Sequence, residues 1–149
     1  MKLLDFIVCD DIRLELGNKV TIVGVYGDVI MVEAKNISAI SWPIPLKMAV
    51  YWRIQLDQDD KNQWPERNFD FELNAFHNSE PLFQFVGKLE EHINKDAQII
   101  GIPFAGAIVG LKSTGVLTFD LIIKSSGKEI KRFTSPYEVV VKTKLQENF

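Results

Sequence analysis

Between Leu46 and Leu56 the sequence alternates without a break. Leu46, Met48, Val50, Trp52, Ile54 and Leu56 fall on one side of an extended chain, and Lys47, Ala49, Tyr51, Arg53 and Gln55 on the other. Successive side chains of a strand point to opposite faces of its sheet, so the pattern predicts a strand with one buried and one wet face. A helix would scatter the same apolar residues around its whole circumference. Burial on one side is the habit of antiparallel sheets, because parallel strands covered on both faces read as continuous apolar runs.

The two-residue period returns in Phe69, Phe71, Leu73 and Ala75, and again in Leu117, Phe119, Leu121 and Ile123. The second run leads into Ser126-Gly127, a turn signal, with Glu129 to Thr134 as the returning arm of a hairpin. Pro136 stops that arm, and Tyr137 to Lys142 reads as a last, Val-rich strand suited to an internal position. Near the start, Leu3 to Val8 reads as one strand and Ile12, Leu14 and Leu16 as a second. Gly17-Asn18 can supply positive φ in a tight turn, and Lys19 to Tyr26 returns from it. That return strand is apolar on both faces, which implies a central, covered position or partial burial in an oligomer contact. Only Lys88 to Lys95 looks helical, with Leu89, His92 and Ile93 at i, i+3 and i+4. Ala34 to Pro45, Asp57 to Arg67 and Ser113 to Gly115 read as loops. Together these signals predict an all-β antiparallel sandwich, immunoglobulin-like or C2-like. It would have roughly seven to nine strands and at most one or two short helices, in a single domain over residues 1–149.

Charge narrows the function classes. The 17 basic and 20 acidic residues give a formal net charge of −3. Nucleic-acid binding draws on a basic patch that releases counterions from phosphates. The nearest approach to one, Lys124, Lys128, Lys131 and Arg132, straddles the predicted hairpin and reads as a solvated face. No apolar stretch approaches the ~18 residues of a membrane span, and Asp5 interrupts the opening apolar run too early for a secretory leader. The longest candidate, Ile99 to Leu111, contains Pro103 and three glycines. The one cysteine, Cys9, cannot form an intramolecular disulfide, so a reducing, cytoplasmic setting is the simplest expectation.

Catalytic and metal-binding patterns are weak. His77 and His92 have no Cys, His or Glu at ligand spacing, and no paired-ligand motif for zinc occurs. Cys9 precedes Asp10 and Asp11, which would raise rather than lower a thiol pKa, so a packed, inert thiol is expected. Asp57, Asp59, Asp60 and Asn62 could offer oxygens to a hard cation, but the EF-hand order is absent and a polar hairpin loop accounts for them. Asp10, Asp11, Arg13 and Glu15 could supply paired carboxylates for hydrolysis, although ion pairing in a strand is the more ordinary role. No cofactor, metal or catalytic residue is assigned.

Two surfaces are candidates for contact with a partner. Trp42 and Trp64, each before a proline in a predicted loop, and Tyr51 on the wet face of its strand could stack on a ligand or a partner protein, or fold back over the core. The uncharged run Ile99 to Leu111 and the two-faced strand Lys19 to Tyr26 exceed what one sandwich interior covers. They predict a homo-oligomer, most simply a dimer, through Val23 and Val25 or through Phe104, Ile108 and Val109.

Two stretches resemble a known family. Phe6-Ile7-Val8-Cys9-Asp10-Asp11-Ile12-Arg13 with Gly17, Lys19 and Ile22-Val23-Gly24-Val25-Tyr26 forms one. Ile108-Val109-Gly110-Leu111 with Gly115, Leu117-Thr118-Phe119-Asp120-Leu121 and Gly127-Lys128 forms the other. Together they resemble the bacterial and phage family known as domain of unknown function 6941. The resemblance implies a β-sandwich and carries no activity. The leading expectation is a non-enzymatic binding module for a partner protein or ligand. The alternatives are a phage or mobile-element accessory protein that sequesters a small molecule or host factor, and a hydrolase using the Asp10/Asp11 region.

Overall fold

The computed structural model describes residues 1–17, 19–63, 69–89 and 98–145. Among these, ten strands form two sheets: β1 (Lys2–Glu15), β2 (Lys19–Tyr26), β3 (Val29–Ala34), β4 (Ile44–Gln55), β5 (Phe69–His77), β6 (Glu80–Lys88), β7 (Ile99–Leu111), β8 (Gly115–Ser125), β9 (Lys128–Thr134) and β10 (Val139–Leu145). A 3-10 turn, Ile37–Ala39, and one short helix, α1 (Gln58–Gln63), complete the list. The first sheet runs β2-β1-β4-β7 and the second β3-β10-β8-β5-β6, with β9 also paired to β8. Every pairing is antiparallel except β3 with β10. The architecture is an all-β sandwich, with one strand more than the sequence suggested.

The interior is built by the alternations read above. β4 sends Met48, Val50, Trp52 and Ile54 inward, and β5 sends Phe69, Phe71, Leu73 and Ala75, all buried. Phe6 joins the two sheets: its ring lies 4.6 Å from Trp52 in its own sheet and 5.4 Å from Phe119 in the other. Tyr137 packs on the same ring at 5.3 Å and donates a hydrogen bond to the Phe6 carbonyl. Trp52 is wholly buried, and removing a side chain of that size costs far more than its transfer energy because a cavity remains.

Several expectations are corrected in detail. Leu3–Val8 and Ile12–Leu16 are one 14-residue strand, because the chain stays extended through Asp10 and Asp11. The strand Lys19–Tyr26 is not central; it is an edge of the first sheet. Ile99–Leu111 is the opposite edge, a continuous 13-residue strand that tolerates Pro103 because an edge strand can lack a donor. Its pairing with β4 shifts between Met48 and Val50, where Phe104 faces Val50 but Ala107 faces Met48. The extra residue forms a bulge, and Gly106 within it has φ +73°. The proposed helix Lys88–Lys95 begins where β6 ends, and all of it past Leu89 lies outside the described residues. The Asp57–Asn62 segment is no loose hairpin loop but the start of α1. The Asp60 amide donates to the Asp57 carboxylate at 2.8 Å and the Asp57 amide to that of Asp60 at 3.0 Å, a reciprocal helix cap. Among the described residues no helix is long and apolar enough to cross a membrane.

Candidate interaction surface

Beyond the sandwich body, β1 and β2 continue as an arm. Pairing of β1 with β4 ends at Cys9–Ala49, whereas pairing with β2 runs on to Glu15–Lys19. The arm does not stay in the plane of the sheet. Cys9 and Ile12 have opposite parity and would point to opposite faces of a flat strand, yet both are buried in one cluster with Ala49. The ribbon must therefore turn between them. The turn falls at Asp10, level with Gly24, whose φ of +63° suits glycine far better than a residue with Cβ. The Asp10 side chain occupies the space a Cβ at Gly24 would need. Tyr26 donates its hydroxyl hydrogen bond to Asp10, and burial with that neighbouring carboxylate pushes the phenol pKa up.

The result is a second, smaller core on the outer face of the first sheet. Cys9, Ala49 and Ile12 are buried there, with Ile7, Val20, Ile22 and Tyr51 packed around them. Burial pushes the Cys9 thiol up to about 11, so at neutral pH it is an unreactive thiol rather than a nucleophile.

The arm is amphipathic. Ile12 faces Ile22 and Leu14 faces Val20 across the ribbon, and Leu16 extends the same stripe. The stripe starts in the packed cluster and runs off the body: Leu14 is 67% exposed and Leu16 96%. The other face is polar and internally paired. Thr21 donates to Glu15, and Asp11 lies 3.6 Å from Arg13 and 3.5 Å from Lys47. Val25 and Ile108 are exposed on the outer side of the same sheet, and Val23, opposite Asp11, is exposed on the polar face of the arm.

These positions sort the sequence-derived candidates. Tyr51 is no free platform: it is half-buried, burial raises its pKa, and its ring lies over Gly101, where a Cβ would come within 3.0 Å of ring carbons. Trp42 is half-buried against the main core, while Trp64 lies outside the described residues. Phe104 is not a contact residue in waiting. It stacks on Phe83 at 4.9 Å and meets Phe85 at 5.1 Å, closing the side of the sandwich between β7 and β6. Val109 is buried, because the bulge switches the inward-facing set of β7 from even to odd numbers and leaves Ile108 outside. Val23, Val25 and Ile108 remain exposed. Leu14 and Leu16 were missed as contact residues, although Leu16 beside the Gly17 turn was a signal, since leucine at a hairpin tip buries nothing locally.

Among the described residues, the polar groups of the arm are taken up in pairs. Asp10 is held by Tyr26, Asp11 lies with Arg13 and Lys47, and Glu15 accepts from Thr21. Among the described residues no three His, Cys, Asp or Glu side chains gather to hold a metal. Two members of the basic cluster are neutralised: Lys124 pairs with Glu72, and Arg132 with Asp120 at 2.9 Å and Glu129 at 2.8 Å. The hydrogen bond from Lys124, with others from Asn74 and Gln84, holds the Glu72 carboxyl at about 2. His77 is the outlier, an inward-facing imidazole at the end of β5 with Nε2 buried and unpartnered; burial lowers its pKa. Compared with known protein families and with curated proteins, the sequence matches none.

Proposed function

We propose that this chain is a non-enzymatic interaction module that binds a partner protein with the apolar face of the β1–β2 arm. The observation that supports this is the stripe Ile12–Leu14–Leu16. Its first residue is consumed in the second core, and its last two stand in water, where leucine contributes nothing to the fold. Apolar surface rimmed by polar groups favours a protein contact over a small ligand, which would need a concave site. Here the polar residues Arg13, Glu15 and Lys19, all exposed, hold the opposite face of the ribbon.

Native mass spectrometry of the purified chain tests this reading. The outcome in its favour is a discrete protein that copurifies with the wild type and is lost from Leu14→Ser/Leu16→Ser, a variant whose melting temperature should not change. A bound metabolite that survives the double substitution would overturn it in favour of sequestration.

A further inference from the structure

Unpaired sheet edges are templates for another strand, and proteins that remain single blunt them with proline, charge or bulges. β6 and β7 are blunted in this way. β6 carries Pro81 and a register shift opposite Ala75/Phe76, and β7 carries Pro103 and the bulge at Gly106. β2 is not. Past Lys19 at its start, β2 has neither proline nor charge to Tyr26, its register with β1 never shifts, and among the described residues no strand lies beyond it. Its one irregularity, Gly24, separates a body half from an arm half, Lys19–Val23, which pairs with the part of β1 that no longer pairs with β4.

We propose that the arm half of β2 pairs antiparallel with the same segment of a second copy of the chain, forming one four-stranded arm sheet about a two-fold axis at Thr21. Facing residues of an antiparallel pair share a sheet face, and a two-fold axis normal to the sheet keeps every side chain on its own face. Residues of equal parity must therefore meet. With the axis at Thr21, Thr21 faces its own copy, Val20 faces the second copy's Ile22, and Lys19 faces the second copy's Val23. Threonine pairs and β-branched pairs are favourable cross-strand neighbours.

Self-matching side chains select a second copy as the occupant. The segment carries a single charge, Lys19, and antiparallel pairing sends the two lysines to opposite ends. The carboxylates beside it have partners within the chain, Glu15 with Thr21 and Asp11 with Arg13 and Lys47. With no other charge on the edge, pairing is decided by side-chain shape, and an identical strand sets threonine against threonine and β-branched residues against β-branched residues at the three central positions. Pairing also joins the two stripes of Ile12, Leu14, Val20 and Ile22 into one apolar face. The proposal uses the same arm as the interaction-module reading but needs no other molecule.

Light scattering during size-exclusion chromatography of the whole chain is the test, with twice the 17.0 kDa chain mass expected at micromolar concentration. Thr21→Lys and Thr21→Glu each set like charges face to face on the axis. Each alone should weaken the dimer at least tenfold, and an equimolar mixture should restore it. Thr21→Ser, which keeps the hydroxyl, should stay dimeric, and circular dichroism checks that every variant remains a β protein. A wild type that is monomeric throughout overturns the pairing. So does a dimer that both charged variants retain, or a mixture that stays monomeric. None of these results bears on a protein lost with Leu14 and Leu16, so the two readings fail separately.

Discussion

The two sides of the sandwich handle their edges in opposite ways. On the β6–β7 side, aromatic rings close the gap between the sheets: Phe104 lies against Phe83 and Phe85, and Phe85 against Phe71 at 5.8 Å. Prolines and bulges interrupt both edge strands there. On the β2 side the edge keeps its register, is free of proline and nearly free of charge, and carries an arm with bare leucines. Apolar composition alone does not distinguish these sides, since β7 is the less polar of the two strands. The difference lies in whether the backbone is left able to accept a neighbour. Composition marks a surface as costly to expose, and backbone regularity decides how that cost is relieved.

Mutations sharpen that contrast. Phe104→Ala, which empties the centre of the aromatic seam, should destabilise the fold by about 3–4 kcal/mol in denaturant melts, near the core value expected for Trp52→Ala. A loss below about 1 kcal/mol would mean that the seam is ornamental and the two sides are equivalent. Ile12→Ala should cost somewhat less, about 2–3 kcal/mol, because only the second core loses contacts. It should also speed alkylation of Cys9 several-fold in the native state. Unchanged labelling would break the claim that the arm covers that thiol.

The third prediction concerns pH. His77 is held neutral in the folded state with its pKa below the ordinary imidazole value of about 6.5, so the unfolded chain binds the extra proton. Stability is therefore full above about pH 6.5 and falls as the pH drops through that value toward the folded pKa. His77→Leu should flatten the melting temperature between pH 7 and 5. Loss of the Glu72–Lys124 pair, with the Glu72 carboxyl at about 2, belongs to a lower window below about pH 4.5 and should be untouched by that variant. Smallest of all, Leu16→Ser should alter stability by no more than about 0.5 kcal/mol. A larger loss would show that the tip is part of the fold rather than a surface held out from it.

Much of the fold was legible because alternation survives burial on one face. β4 with Trp52 inside, β5, and the β8–β9 hairpin at Ser126-Gly127 are all where the two-residue period put them. β6 gave no such pattern. Its register shift near Pro81 breaks the period, so Leu82 and Phe83 are both half-buried neighbours. β7 misled for the same reason: Ile108 and Val109 both read as contact residues, and the parity switch at Gly106 buries Val109 while leaving Ile108 exposed. The arm was the least legible. Its turn depends on Asp10 and Gly24, 14 residues apart in sequence, meeting across a ladder. A periodicity argument treats β1 as flat and so places Cys9 and Ile12 on different surfaces.

The parallel pairing of β3 with β10 has a consequence for how the chain is made. Among the described residues, Val29–Ala34 pairs in its sheet with Val139–Leu145 alone, so on a ribosome the segment Val-Ile-Met-Val is released more than a hundred residues before that partner strand exists. Until then Ile30, buried in the finished sandwich, lacks the strand that lies beside it. Non-local pairings of this kind are slow to form and leave sticky intermediates while they wait. Synthesis from the amino end therefore holds an incomplete sandwich open along one edge, and Val139–Leu145 acts as the latch that closes it.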